Sequence, residues 1–85
     1  MFYENGPDTR TLARLHIEAH RARFLDFHRR GLLLMTGPFM DADGGAIGIF
    51  TTREAAEEFI EGDPFVRHGV VARWFIREWN EVLAP

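Results

Sequence analysis

Two histidines, His16 and His20, stand four residues apart in the stretch "RLHIEAH", with Glu18 between them. On an ideal helix that spacing sets the side chains about 40° apart around the axis, close enough to share a metal ion, as in the zinc-protease pattern H-E-x-x-H. Here Ile17 stands where the general-base glutamate belongs, and Glu18 points to the opposite side of the helix from His20. No third ligand is signalled nearby, so no metal site is expected. The other chemistry open to a histidine is proton exchange near neutral pH, which requires an imidazole oriented by a second group.

His20 differs from the other histidines by its neighbours. Ala13, Ile17, His20, Phe24 and Phe27 recur at steps of four, three, four and three, so they form one stripe facing a core, while His16 and His28 lie toward its edges. Burying an imidazole without a partner costs about 1–3 kcal/mol, so His20 needs a hydrogen-bonding neighbour from the fold. Two readings stand side by side: a core histidine satisfied by a backbone carbonyl, or an acid/base histidine held by a carboxylate. Asp63 is the best candidate for the carboxylate. It follows Gly62 at the end of a helix and precedes Pro64, which biases its backbone toward an extended conformation and fixes its side-chain direction. Asp-Pro is also ordinary punctuation after a helix, and sequence separation alone cannot bring residue 63 to residue 20.

Further candidates are pocket residues rather than reacting groups. Gly37-Pro38 either ends a strand or lets backbone approach a ligand beside a stiffened rim, with Phe39 and Phe65 as apolar walls. His68, in "VRHG", reads as a solvated loop residue. "DADGG" lacks the glycine and distal glutamate positions of an EF-hand and reads as a hairpin turn.

The elements that must position these residues follow from periodicity. Met1 to Glu4 forms a short strand, and "NGPD" is a turn offering Asp8 or Thr9 as an N-cap. A helix runs from about Arg10 to Arg30 and ends at Gly31. Strands Leu32 to Phe39 and Ala46 to Thr52 form a hairpin. Thr51 with Glu54 reads as a capping box opening a helix from Arg53 to Glu61, with Gly62 as its C-cap. Val70 to Trp79 is rich in β-branched and aromatic residues and reads as the last strand. The order β-α-β-β-α-β is that of the ferredoxin-like α+β sandwich, with both helices on one face of a four-stranded antiparallel sheet. The other face needs a cover. With Trp74, Phe39 and Phe50 available to line it, a second subunit is expected, which gives a homodimer.

Composition bounds the function. The 85 residues are read as one domain, 46% hydrophobic and 27% charged, with eight Phe, two Trp and one Tyr, a globular balance. There are no cysteines, which removes disulfides, thiolate nucleophiles and Cys-based zinc sites, and a reducing cytoplasm is the expected compartment. No apolar run approaches the roughly 18 residues needed to span a bilayer, and the first residues lack a signal-peptide pattern, so no membrane association is expected. Ten basic against thirteen acidic residues give a formal charge of −3, which offers no footprint for nucleic acid. RNA-recognition domains share the element order, but "GAIGIF" places Ala and Ile where their third strand carries stacking rings.

The chain resembles the YciI-like (YCII-related) family. The resemblance rests on His20, seventeen residues before the strand-ending "GPF" at Gly37 to Phe39, then "GAIGIF" at Gly45 to Phe50, "AAEEF" at Ala55 to Phe59 and "DPFVRHG" at Asp63 to Gly69. It covers the chain from about residue 16 onward. It implies a ferredoxin-like fold of the dimeric α+β barrel type, with a His-Asp pair as active site, here His20 and Asp63. Similar proteins include a dehydrochlorinase acting on a chlorinated aromatic diol or triol. Where family members tend to carry an arginine shortly before the histidine, this chain has His16 and Ile17, and its opening strand "MFYE" is short.

The expected function is therefore a small-molecule enzyme that moves a proton through His20 and Asp63, in lyase-like fashion, on a small organic substrate, aromatic rings included, held near Gly37, Pro38, Phe39 and Phe65, without a cofactor. The alternative is a non-catalytic dimeric module that binds a small ligand or a partner protein in the same cleft.

Overall fold

Apolar alternation and helical stripes do separate into sheet and helices. The structure, a computed structural model describing residues 1–83, contains β1 (Phe2–Asn5), α1 (Thr9–Arg29), β2 (Leu33–Pro38), β3 (Ala46–Phe50), α2 (Arg53–Gly62), α3 (Pro64–Arg67) and β4 (Val71–Phe75). The strands pair antiparallel in the order β2-β3-β1-β4, which is the ferredoxin-like arrangement. Among the described residues no helix is long and apolar enough to cross a membrane.

The long helix stops where glycine permits it. Gly31 takes φ +76°, its N–H donates to the His28 carbonyl, and the Leu32 N–H donates to the Phe27 carbonyl, each at 3.0 Å. These two bonds form a Schellman motif and satisfy carbonyls that the helix end leaves open. At the other end Asp8 occupies the N-cap position without a side-chain cap bond. Thr9 instead ties the helix start to the residue just before β4: its hydroxyl accepts from the Gly6 N–H at 2.7 Å and donates to the Val70 carbonyl at 2.6 Å.

The core lies between sheet and helices and is built from Met1, Tyr3, Phe27, Leu33, Phe59, Ile60 and Val71. Ala55, Ala56, Phe59 and Ile60 make one buried stripe on α2, in which the two alanines allow a close approach. Phe27, Phe50 and Phe59 meet edge-on or tilted, with centroids 5.2–6.4 Å apart. Phe50 thus belongs to the covered side, which corrects its expected place on the open face.

Four boundaries differ from expectation, each for a local reason. The cap of α2 is Thr52, whose side chain accepts from the Ala55 N–H at 3.0 Å, while Thr51 still donates its N–H to the Leu32 carbonyl at 2.9 Å as a continuation of the strand pairing. Gly62 is helical, and the helix stops at Asp63 (φ −71°, ψ 120°), whose α conformation Pro64 disfavours. "PFVR" forms the short α3, which periodicity could not signal in four residues. Finally, β4 ends at Phe75 because β1 offers it only four residues, the last pairing being Phe2 with Phe75.

A register shift between Glu4 and Asn5 leaves Ala72 as an extra residue in β4. Past it, Trp74 pairs with Tyr3 and so shares the helix-side face, whereas Phe75 stacks on Phe2 at 4.8 Å on the other. The register assigns Met35, Ile47, Ile49, Phe2 and Phe75 to the open face, a row of apolar side chains where Trp74 and Phe50 were expected.

Candidate functional site

Asp63 does two things with one side chain. Its backbone terminates α2, and its carboxylate accepts from the Phe65 N–H at 3.1 Å, which caps α3. The same Oδ1 lies 2.8 Å from Nδ1 of His20, and Oδ2 accepts from the Tyr3 hydroxyl at 2.6 Å. The residue is 0% exposed, so these donors take the place of water around the carboxylate. The structure therefore brings His20 and Asp63 together across 43 residues of sequence and adds Tyr3, which spacing did not indicate. The signal that was present is that Tyr3 is the single tyrosine: a phenol on a strand's buried face must find an acceptor.

Burial is the main reason the Tyr3 hydroxyl holds its proton far beyond the ordinary tyrosine range, and the Asp63 charge and hydrogen bond push the same way, against a smaller opposing effect from Arg23. Tyr3 is thus a fixed donor that orients the carboxylate.

Because a carboxylate can only accept, the contact places the imidazole proton on Nδ1 when the ring is neutral. Nε2 then carries the lone pair. Among the described residues it has no hydrogen-bond partner, and no buried side-chain nitrogen or oxygen lacks one, so Nε2 is open to solvent. The ring is 16% exposed and tightly packed: it stacks on Phe65 at 3.8 Å with 4° between planes, and Phe24 meets it edge-on at 5.3 Å.

A cavity of about 520 Å³ adjoins this ring. His20, Pro38, Phe39 and Phe65 line it, and Ile17 and Phe24 from the α1 stripe face it, which is why those two are only half-buried. Gly37 contributes to the wall as well, but by its pairing with Ile47 its side-chain position belongs to the open face of the sheet, where a Cβ would meet nothing within 4 Å. The missing side chain is therefore not what opens the cavity. Phe39 sits at the rim, 40% exposed.

The other histidines take different partners. His16 stacks on His68 at 4.1 Å, joining α1 to the end of α3, so His68 is exposed yet packed rather than freely solvated. His28 lies 2.8 Å through Nδ1 from the Leu33 carbonyl. A larger hollow, about 690 Å³, is lined by Phe2, Ile47, Ile49, Arg53 and Trp79 among others, and among the described residues no histidine lines it. The smaller cavity is the one that joins space to reactive groups.

No curated protein matches the chain. The family model for the YCII-related domain matches residues 1–80, further toward the start than the motifs from residue 16 suggested, and includes β1 with Tyr3 as well as His20 and Asp63. The chain belongs to the YCII-related family.

Proposed function

We propose that the protein is a small-molecule enzyme in which His20 and Asp63 act as an acid/base pair. The observation that carries this reading is an imidazole fixed through Nδ1 by a buried carboxylate, on the wall of a cavity of enzyme-pocket size, with Nε2 left without a protein partner among the described residues. Tyr3 and the Phe65 N–H fix the carboxylate, so the imidazole is held by groups that are themselves held. Nε2 removes a proton from carbon or oxygen of the substrate, and the Asp63 charge stabilises the imidazolium that forms. In a lyase-like elimination the electron pair left on carbon becomes the new double bond as the leaving group departs with its own bonding electrons from the neighbouring carbon, and the proton is later released to water. Neither serine nor cysteine occurs in the chain, and this route needs no such nucleophile.

His20→Gln keeps a polar side chain at the site but removes the base. On a substrate found by screening single-ring compounds with halide leaving groups, we expect it to lower kcat/KM by about 10²–10⁴-fold, the usual share of general acid–base catalysis. Full activity in that variant excludes the mechanism. A tight ligand without turnover by the wild type assigns the cavity to a non-catalytic binding module.

The working form we propose is a homodimer in the reducing cytoplasm. Met35, Ile47, Ile49, Phe2 and Phe75 form a continuous apolar row on the open face, and a second copy would remove it from water.

A further inference from the structure

We propose that the molecule taken by the His20 cavity is a single-ring compound carrying one carboxylate, and that Arg21 holds that carboxylate. The location rests on the acid/base reading above, and the class of ligand is what the inference adds.

The cavity wall is apolar over most of its extent, with Ile17, Phe24, Pro38, Phe65 and Val70 among its residues. Its polar side chains are few, and most are already engaged. The Thr9 hydroxyl donates to the Val70 carbonyl at 2.6 Å, Thr36 donates to the Ile47 carbonyl at 2.9 Å, and the Asn5 amide donates to the Asp43 carbonyl at 3.4 Å. Two lining residues carry a side-chain group without a partner among the described residues: His20 at Nε2 and Arg21 at its guanidinium. Among the described residues Arg21 makes no ion pair or hydrogen bond, unlike Arg23 two residues on, which donates to the Glu58 and Phe59 carbonyls.

Among the described residues no aspartate or glutamate lines the cavity. The carboxylate of Asp63 lies behind the His20 ring, fully buried and occupied by three donors, so it does not neutralise an arginine on the other side of the wall. Besides the Met1 amine, which donates to the Gly48 carbonyl at 2.9 Å, the described part of the wall presents one permanent positive charge, that of Arg21, and no negative one. Low-polarity walls strengthen the pull of that charge on an anion that has left bulk water. A guanidinium matches a carboxylate with two parallel N–H donors, which also fixes the ligand's orientation. The remaining space, about 520 Å³ walled by phenylalanine, suits a ring and not a long polar chain.

The test titrates benzoate and benzamide, which differ in charge but hardly in shape, into the full chain at neutral pH, with binding read from amide chemical shifts. Benzoate is expected to bind about 10–100-fold tighter than benzamide, the range of a charge-assisted hydrogen bond. Arg21→Gln, at an exposed position, should remove that preference by weakening benzoate alone, and added salt should do the same in the wild type. Equal affinity for the two probes, binding of neither at millimolar concentration, or an unchanged benzoate affinity in Arg21→Gln overturns the assignment. The acid/base reading fails separately. If His20→Gln keeps full turnover while Arg21→Gln loses benzoate, the anion site stands and the mechanism falls. If Arg21→Gln keeps benzoate while His20→Gln is inactive, the reverse holds.

Discussion

A phenol 2.6 Å from a carboxylate with no exposure to water is a costly group to disturb. Tyr3→Phe keeps the ring's packing but leaves Oδ2 of Asp63 buried without that donor, so we expect a loss of about 1–3 kcal/mol in denaturant unfolding. Because Tyr3 is the single tyrosine, its ionisation can be read in the ultraviolet without interference from another. Its proton is held more tightly in the folded than in the unfolded chain. The unfolded phenol ionises near pH 10. The stabilisation linked to Tyr3 is therefore complete below that pH and is lost progressively above it. Tyrosinate absorbance should stay absent from the native protein at pH values where a free tyrosine is largely ionised, and should appear together with unfolding. Tyrosinate in a protein still folded by circular dichroism would contradict the buried Tyr3–Asp63 contact.

At the scale of elements, the turn from α2 to α3 holds the site in place, and Gly62 is its tightest point. A Cβ there would lie 2.5–2.8 Å from the Arg23 guanidinium, which donates to the Phe59 and Glu58 carbonyls at 3.0 and 2.7 Å and so closes the end of α2. Gly62→Ala should gain about 1 kcal/mol of helix propensity yet lose more by displacing Arg23. A double-mutant cycle resolves the two effects: the substitution should destabilise the wild type and stabilise an Arg23→Ala background. Gly62 read as a C-cap in the sequence because glycine after a helical run usually is one, and its actual role depends on a side chain 39 positions earlier. Much else at this scale was legible. The stripe ending in Phe27 and Gly31 after it defined α1, and the alternation of turns and apolar runs marked the succession of elements along the chain. The length of β4 was not legible, because it is set by how many residues β1 offers as partners. Likewise the His20–Asp63 contact was nameable only as a pair, while the third member, Tyr3, required knowing which face of a four-residue strand is covered.

At the scale of the whole molecule, one face of the sheet carries the site and the other carries Phe2, Met35, Ile47, Ile49 and Phe75. A charge at the centre of that row tests the proposed dimer. Ile49→Lys should convert a dimer to a monomer in sedimentation equilibrium, with secondary structure retained, since the substituted side chain lies outside the core. A monomeric wild type at micromolar concentration would rule the assembly out. The strand order carries one further consequence, for how the chain reaches its native state. Strand β1 lies between β3 and β4, so it is made before both of its neighbours, and the Tyr3–Asp63 bond spans 60 residues. Helix α1 can form early from local contacts, but the sheet's middle waits for long loops to close, which is the slow part of folding such topologies. A chain halted on the ribosome before Asp63 would hold His20 without its partner, so the paired site can close only after the second half of the chain has emerged.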